Sequence, residues 1–80
     1  MAQHILRFPV VESISGDSRP TIYRRIKEGL WTRPVKIGRR SVGWPENEVA
    51  AINAARIAGK SDEEIRSLVV SLEAARKAAA

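Results

Sequence analysis

Two short apolar patterns, Phe8 to Ser15 and Ser18 to Glu28, meet across Gly16-Asp17, and that spacing leaves the chain few ways to fold. In "FPVVESIS" Pro9 stands where a first helical turn tolerates it, with Val10, Val11 and Ile14 on one side. Gly16 is a suitable stop, because glycine closes a helix in the left-handed conformation without a Cβ penalty. Ser18 then offers an N-cap hydroxyl, Pro20 sits early enough in the next helix to do no harm, and Gly29 ends it. Two helices joined by so short a turn predict a helix-turn-helix. At about 100° per residue, Ile22 and Ile26, flanked by Arg19 and Arg25, make one narrow side of the second helix. Pro20, Tyr23, Arg24, Lys27 and Glu28 face the other way.

From Arg33 to Trp44 the pattern changes to alternation. "PVKIG" interleaves apolar and basic residues, "GRR" is turn-like, and "SVGW" returns, which predicts a β-hairpin wing over 34–44 with its arginines at the tip. Pro45 is expected at N1 of a third helix near 45–58, with Glu46 and Glu48 in the first turn, where the helix dipole favours acids. Val49, Ile52, Ala55 and Ile57 form its expected apolar stripe, and Gly59 closes it. Ser61-Asp62-Glu63-Glu64 is a capping box. Ile65, Leu68, Val69 and Leu72 follow at i, i+3, i+4, i+7, a stripe expected to fold back on helices one and three. The tail "EAARKAAA" is expected to fray.

The fold class that emerges is mainly α with a small β-hairpin wing, a winged helix-turn-helix with an extra C-terminal helix. It is one domain over 1–80, with a core at 5–58 and an amphipathic helix at 61–78. Eighty residues are few, and the absence of cysteine excludes disulfides, thiolate metal ligands and a cysteine nucleophile, so the core must hold by packing. The same absence fits a reducing compartment. The N-terminus lacks the features of a signal peptide and no window reaches membrane-spanning length, so a soluble, cytoplasmic protein with no membrane partner is expected.

Catalysis finds no footing. His4, the single histidine, lies in a terminus expected to be flexible, and Glu46 and Glu48, two apart, do not share a helix face. The glycines match no phosphate-binding loop. No enzyme activity, cofactor, metal or small-molecule ligand is expected. The charge is more informative. The net is +5, with a pI near 10.5. Residues 1–44 carry nine Lys/Arg against three Asp/Glu, whereas residues 45–80 carry five against six. Eight of the cations fall between Ser18 and Trp44. A helix presenting Tyr23, Arg24 and Lys27, followed at once by a hairpin with a cationic tip, has the form of a winged DNA reader: the helix suits the major groove and the tip the phosphates or the adjacent minor groove.

The ordered set "RFP", "SG", "S-R-x-T-I-Y-R", "I-K-E-G", "P-V-K-I-G" and "G-W-P-E-N-E-V", spanning Arg7 to Val49, closely resembles the AlpA family of prophage-type transcriptional regulators, relatives of the excisionases and of MerR-type winged domains. The resemblance implies regulation of genes of an integrated element. Carried over by position, it implies contacts from Arg19, Thr21, Tyr23 and Arg24 in a recognition helix at 18–28, and from Lys36, Arg39 and Arg40 in the wing. Two residues depart from the family pattern: Asp17 stands where an apolar residue is usual, and Arg25 where a core-facing leucine is common. Asp17 is expected to pair with a nearby arginine or to leave the turn exposed, and Arg25 to snorkel outward toward a phosphate.

Arg24 is then the expected base contact, to guanine O6 and N7, with Tyr23, Lys27, Lys36, Arg39 and Arg40 mostly on phosphates. The expected partner is double-stranded DNA, with homo-oligomerisation on it. Three other readings follow from the same residues. One is an excisionase-type factor that bends DNA. Another is a DNA-packaging recognition subunit like a small terminase, less expected because the chain ends soon after its fourth helix. The third is a protein-interaction module using the stripe at 65–72.

Overall fold

In the computed structural model, which describes residues 4–78, the chain runs β1 (Ile5–Leu6), α1 (Phe8–Ser15), α2 (Arg19–Lys27), β2 (Val35–Lys36), β3 (Val42–Pro45), α3 (Glu46–Ile57) and α4 (Asp62–Ala78). The strands form one antiparallel sheet in the order β1-β3-β2. Val35 pairs with Gly43 and Lys36 with Val42, and Ile37 N–H donates to the Ser41 carbonyl at 3.0 Å, which closes the hairpin around Gly38, Arg39 and Arg40. Four helices with this small sheet make a winged helix-turn-helix carrying a C-terminal helix.

The helix boundaries follow the glycines. Gly16, Gly29 and Gly59 all take positive φ, at 76°, 78° and 76°, and each stops the helix before it. Ser18 occupies the N-cap of α2 with extended backbone but makes no capping bond. Its hydroxyl instead shares a 3.0 Å hydrogen bond with that of Thr21. Pro45 is the N-cap of α3 and not its first residue, because it still belongs to β3. The capping box of α4 forms in both directions: Glu64 N–H donates to Ser61 Oγ at 3.2 Å and Ser61 N–H to Glu64 Oε1 at 3.1 Å.

The first strand is absent from the sequence expectations. Leu6 pairs with Trp44 and Ile5 with Pro45, and Glu46 N–H donates to the His4 carbonyl at 2.8 Å. His4 therefore sits in a tethered segment and not in a loose terminus. Two residues are too few for alternation to be read, so no periodicity announces this strand.

The core gathers Phe8 and Val11 from α1, Ile22 from α2, Leu30 and Trp31 from the following loop, Trp44 from β3, Val49 and Ile52 from α3, and Ile65 and Val69 from α4. Trp44 is fully buried, meets the Phe8 ring edge-on at 4.7 Å and donates its indole N–H to the Thr32 carbonyl at 2.8 Å. An aromatic pair of this kind adds about 0.5–1.5 kcal/mol beyond the area it buries. The α4 stripe packs inward, with Leu68 and Leu72 completing it against α3. Ala55 joins the core margin, but Ile57 is 81% exposed, since the last turn of α3 runs past the end of the packed surface. The alanine-rich tail does not fray over 73–77: those residues are helical, and Glu73 and Arg76 are bonded to other elements. The last two alanines lie outside the described residues.

Candidate nucleic-acid interface

Helix α2 is amphipathic because Ile22 and Ile26 turn inward while its other positions carry charge. Arg24 and Lys27 lie on the exposed side with Pro20, which puts Arg24 near the middle of the outward face. Arg19, Tyr23 and Lys27, spaced i, i+4, i+8, make one edge of that face. Thr21 lies toward the other edge, half-buried, its hydroxyl occupied by Ser18.

Arg19 and Tyr23 are held in place by Phe8. The Arg19 guanidinium lies 4.4 Å over the Phe8 ring, and the Tyr23 ring packs against it at 5.3 Å, leaving Tyr23 51% exposed. A buried phenylalanine at the start of α1 thus orients two polar side chains on α2.

The wing approaches the same edge. An open groove of about 480 Å³ is lined by Arg7, Phe8 and Pro9 from the start of α1, Arg19 and Tyr23 from α2, and Arg40, Ser41 and Val42 from the wing. Lys36 faces Val42 across the ladder, so it leaves the same face of the hairpin, and it is exposed. Arg39 is exposed at the tip. Of the residues expected from sequence, Arg19, Tyr23 and Arg40 meet in the groove, Arg24 and Lys27 flank it on α2, and Lys36 and Arg39 flank it on the wing. Thr21 stands apart.

Most cations of this surface are unpaired. Among the described residues, Arg24, Lys27, Lys36, Arg39 and Arg40 have no acidic partner, and the Arg19–Glu12 contact is a loose 4.0 Å. In the second half Arg56 pairs with Asp62, Lys60 with Glu64 and Arg76 with Glu48, while Arg66 and Lys77 have no acidic partner among the described residues.

Arg25 does not snorkel outward. Its Nε lies 3.1 Å from Asp17 Oδ2, with both side chains mostly buried, although the N–H is not aligned for a hydrogen bond. The two departures from the family pattern therefore compensate one another across the helix-helix turn.

Helix α4 grips the end of α2 and the link to the wing. Arg66 Nε donates to the Glu28 carbonyl at 2.9 Å, closing the end of α2. Glu73 Oε2 accepts from Arg33 N–H at 2.7 Å, and Arg76 Nη2 donates to the Arg33 carbonyl at 2.6 Å, so the link between α2 and the wing is gripped on both backbone groups. Arg76 also forks onto Glu48, Nε to Oε2 at 2.7 Å and Nη2 to Oε1 at 2.6 Å. Those hydrogen bonds hold the Arg76 guanidinium above its ordinary pKa, against the opposing effect of burial. Glu48 is 2% exposed, so it is a buried anchor and not the solvent-facing dipole acid that its place in the first turn suggests. No cluster of metal-ligating side chains occurs among the described residues, and no helix there is long and apolar enough to cross a membrane.

Sequence reasoning passed over Arg7. Its Nη2 donates to Ser41 Oγ at 3.3 Å, a contact made by residues 34 positions apart. No local pattern marks it, because the pairing of β1 with β3 is what carries Arg7 to the base of the wing.

Residues 4–56 match the family described as prophage CP4-57 regulatory protein (AlpA). The chain is also 41% identical, over 58 residues, to the uncharacterized protein ORF88 of Enterobacteria phage P4. That stretch covers 72% of this chain and 66% of the phage protein, just under two thirds of the relative's length. No solved structure matches the chain.

Proposed function

The chain belongs to the AlpA family of prophage regulatory proteins, and on that premise we propose that it is a sequence-specific DNA-binding regulator of a prophage or integrated element. Helix α2 enters the major groove and the β2–β3 wing rests on the backbone or in the adjacent minor groove. The observation that carries the reading is the shared groove of Arg19 and Tyr23 from α2 with Arg40 from the wing, on a surface where Arg24, Lys27, Lys36, Arg39 and Arg40 have no acidic partner among the described residues. Arg24, at the middle of the outward face, reads a base, while Lys27, Lys36, Arg39 and Arg40 set the register on phosphates. The protein acts by binding and not by catalysis, in the cytoplasm, on double-stranded DNA.

The protein-interaction reading loses its surface, because Ile65 and Val69 are buried and Leu68 and Leu72 pack beside them. Selection from a random duplex library at near-physiological salt tests the proposal. A reproducible motif supports a sequence-specific regulator, recovery without one points to an architectural or packaging role, and no recovery removes the DNA reading. Arg24→Ala is expected to lose about 1–3 kcal/mol of discrimination at one base pair. Loss of general affinity without loss of preference would show that Arg24 does not read a base.

A further inference from the structure

We propose that the groove between the first turn of α1, the start of α2 and the base of the wing seats one sugar-phosphate strand, with Arg7 as a phosphate contact beside Arg19 and Arg40. The inference rests on the DNA-binding reading and adds a residue and a ligand position to it. A helix in the major groove and a wing in the neighbouring minor groove straddle the backbone that separates them. The depression between α2 and the wing is where that ridge must run. Its walls carry what a phosphodiester needs: three guanidiniums, the phenol of Tyr23 and the hydroxyl of Ser41.

None of the three guanidiniums is neutralised. Arg7 meets the uncharged Ser41 hydroxyl at 3.3 Å, Arg40 has no acidic partner among the described residues, and the exposed Arg19–Glu12 contact at 4.0 Å is too loose to discharge Arg19. Two of them are also positioned. Stacking on Phe8 restrains Arg19, and the pairing of Leu6 with Trp44 sets the backbone just before Arg7. Preorganised cations lose less side-chain freedom when a phosphate arrives, which suits them to a backbone seat better than freely moving surface arginines.

The test measures duplex binding by the full chain across a salt series, on the selected motif and on a scrambled duplex. Arg7→Ala is expected to weaken both duplexes alike and to lower the slope of log K against log salt by about one. Arg7→Lys keeps the charge and is expected to keep the slope. Lys60→Ala removes the same charge at the α3–α4 turn and should leave it unchanged, which separates a local contact from net charge. A wild-type slope in Arg7→Ala overturns the inference and leaves the DNA reading standing, whereas absent duplex binding by the wild type removes both. A changed base preference in Arg7→Ala would also overturn the phosphate role. In a second arm, the Ser41 and Val42 amide signals should move with duplex and not with inorganic phosphate at equal phosphate concentration. Saturation by inorganic phosphate alone would make this a small-anion site and end the strand assignment.

Discussion

Asp17 and Arg25 show how two polar residues can occupy positions that suit apolar ones. Each would be costly alone at the margin of a core, but at 3.1 Å each supplies the counter-charge of the other. A double-mutant cycle with Asp17→Ala and Arg25→Ala should give a coupling of about 0.5–1 kcal/mol in urea denaturation. Arg25→Ala should leave the salt slope of DNA binding untouched; a reduced slope would restore Arg25 to the phosphate contacts. Both residues were conspicuous in the sequence, but their pairing depends on how the chain folds back across Gly16, which no local spacing records. Gly43 is a stronger case of the same limit. A Cβ there would lie 2.6 Å from Ile5 Cγ2 and 2.9 Å from the Leu6 carbonyl oxygen, so β1 can pair with β3 only if this position has no side chain. Gly43→Ala is expected to cost about 1–3 kcal/mol and to expose the Glu46 amide to hydrogen exchange. Nothing in "SVGW" announces the constraint, because the partner strand is itself invisible to periodicity.

At the scale of elements, α4 behaves as a brace for α2 and the wing although it lies beyond the family match, which ends at residue 56. Its capping box and stripe were legible because both are local patterns. Its polar anchors were not, since Glu48 and Arg76 stand 28 positions apart and look like a dipole acid and a tail cation. Arg76→Met should destabilise the fold by about 2–3 kcal/mol, less than the ~3–5 kcal/mol of a fully buried pair because Arg76 keeps some contact with water. Glu48→Leu combined with Arg76→Met should recover most of that loss, which would assign the cost to the stranded carboxylate. The pH response follows from the direction of the shifts. Hydrogen bonds from the Ser61 backbone and hydroxyl, then the charge of Lys60, lower the Glu64 pKa. A lowered carboxylate contributes stability above its unfolded-state value and loses it as pH falls through the folded one. The capping box should therefore weaken only in acid, below the ordinary glutamate range, and Glu64→Gln should flatten that limb of a stability-pH profile. Arg76 is shifted upward, so its contribution is complete below the ordinary arginine value and is lost only far into alkali.

For the whole molecule, size and charge together limit what one copy can do. The chain is a body measuring 34 × 29 × 22 Å, and on the DNA-binding reading a single module of this size covers roughly 600–1,000 Å² of contact. Such an area gives modest affinity, and much of it comes from phosphates, which carry no sequence information. Discrimination at a genomic site then calls for more than one copy. The longest dimension, 34 Å, is close to the roughly 34–36 Å that separates successive half-sites on one side of the duplex. Copies bound one helical turn apart would thus come within reach of each other without a dimer forming beforehand. Sedimentation should show a monomer in the absence of DNA, while a duplex with two half-sites one turn apart should bind the second copy more tightly than the first. Inserting about half a turn, roughly five base pairs, should abolish that preference by rotating the second site to the far side. Cooperativity that survives the insertion would mean that the copies communicate through bending of the DNA, the excisionase-like alternative, and not through contact.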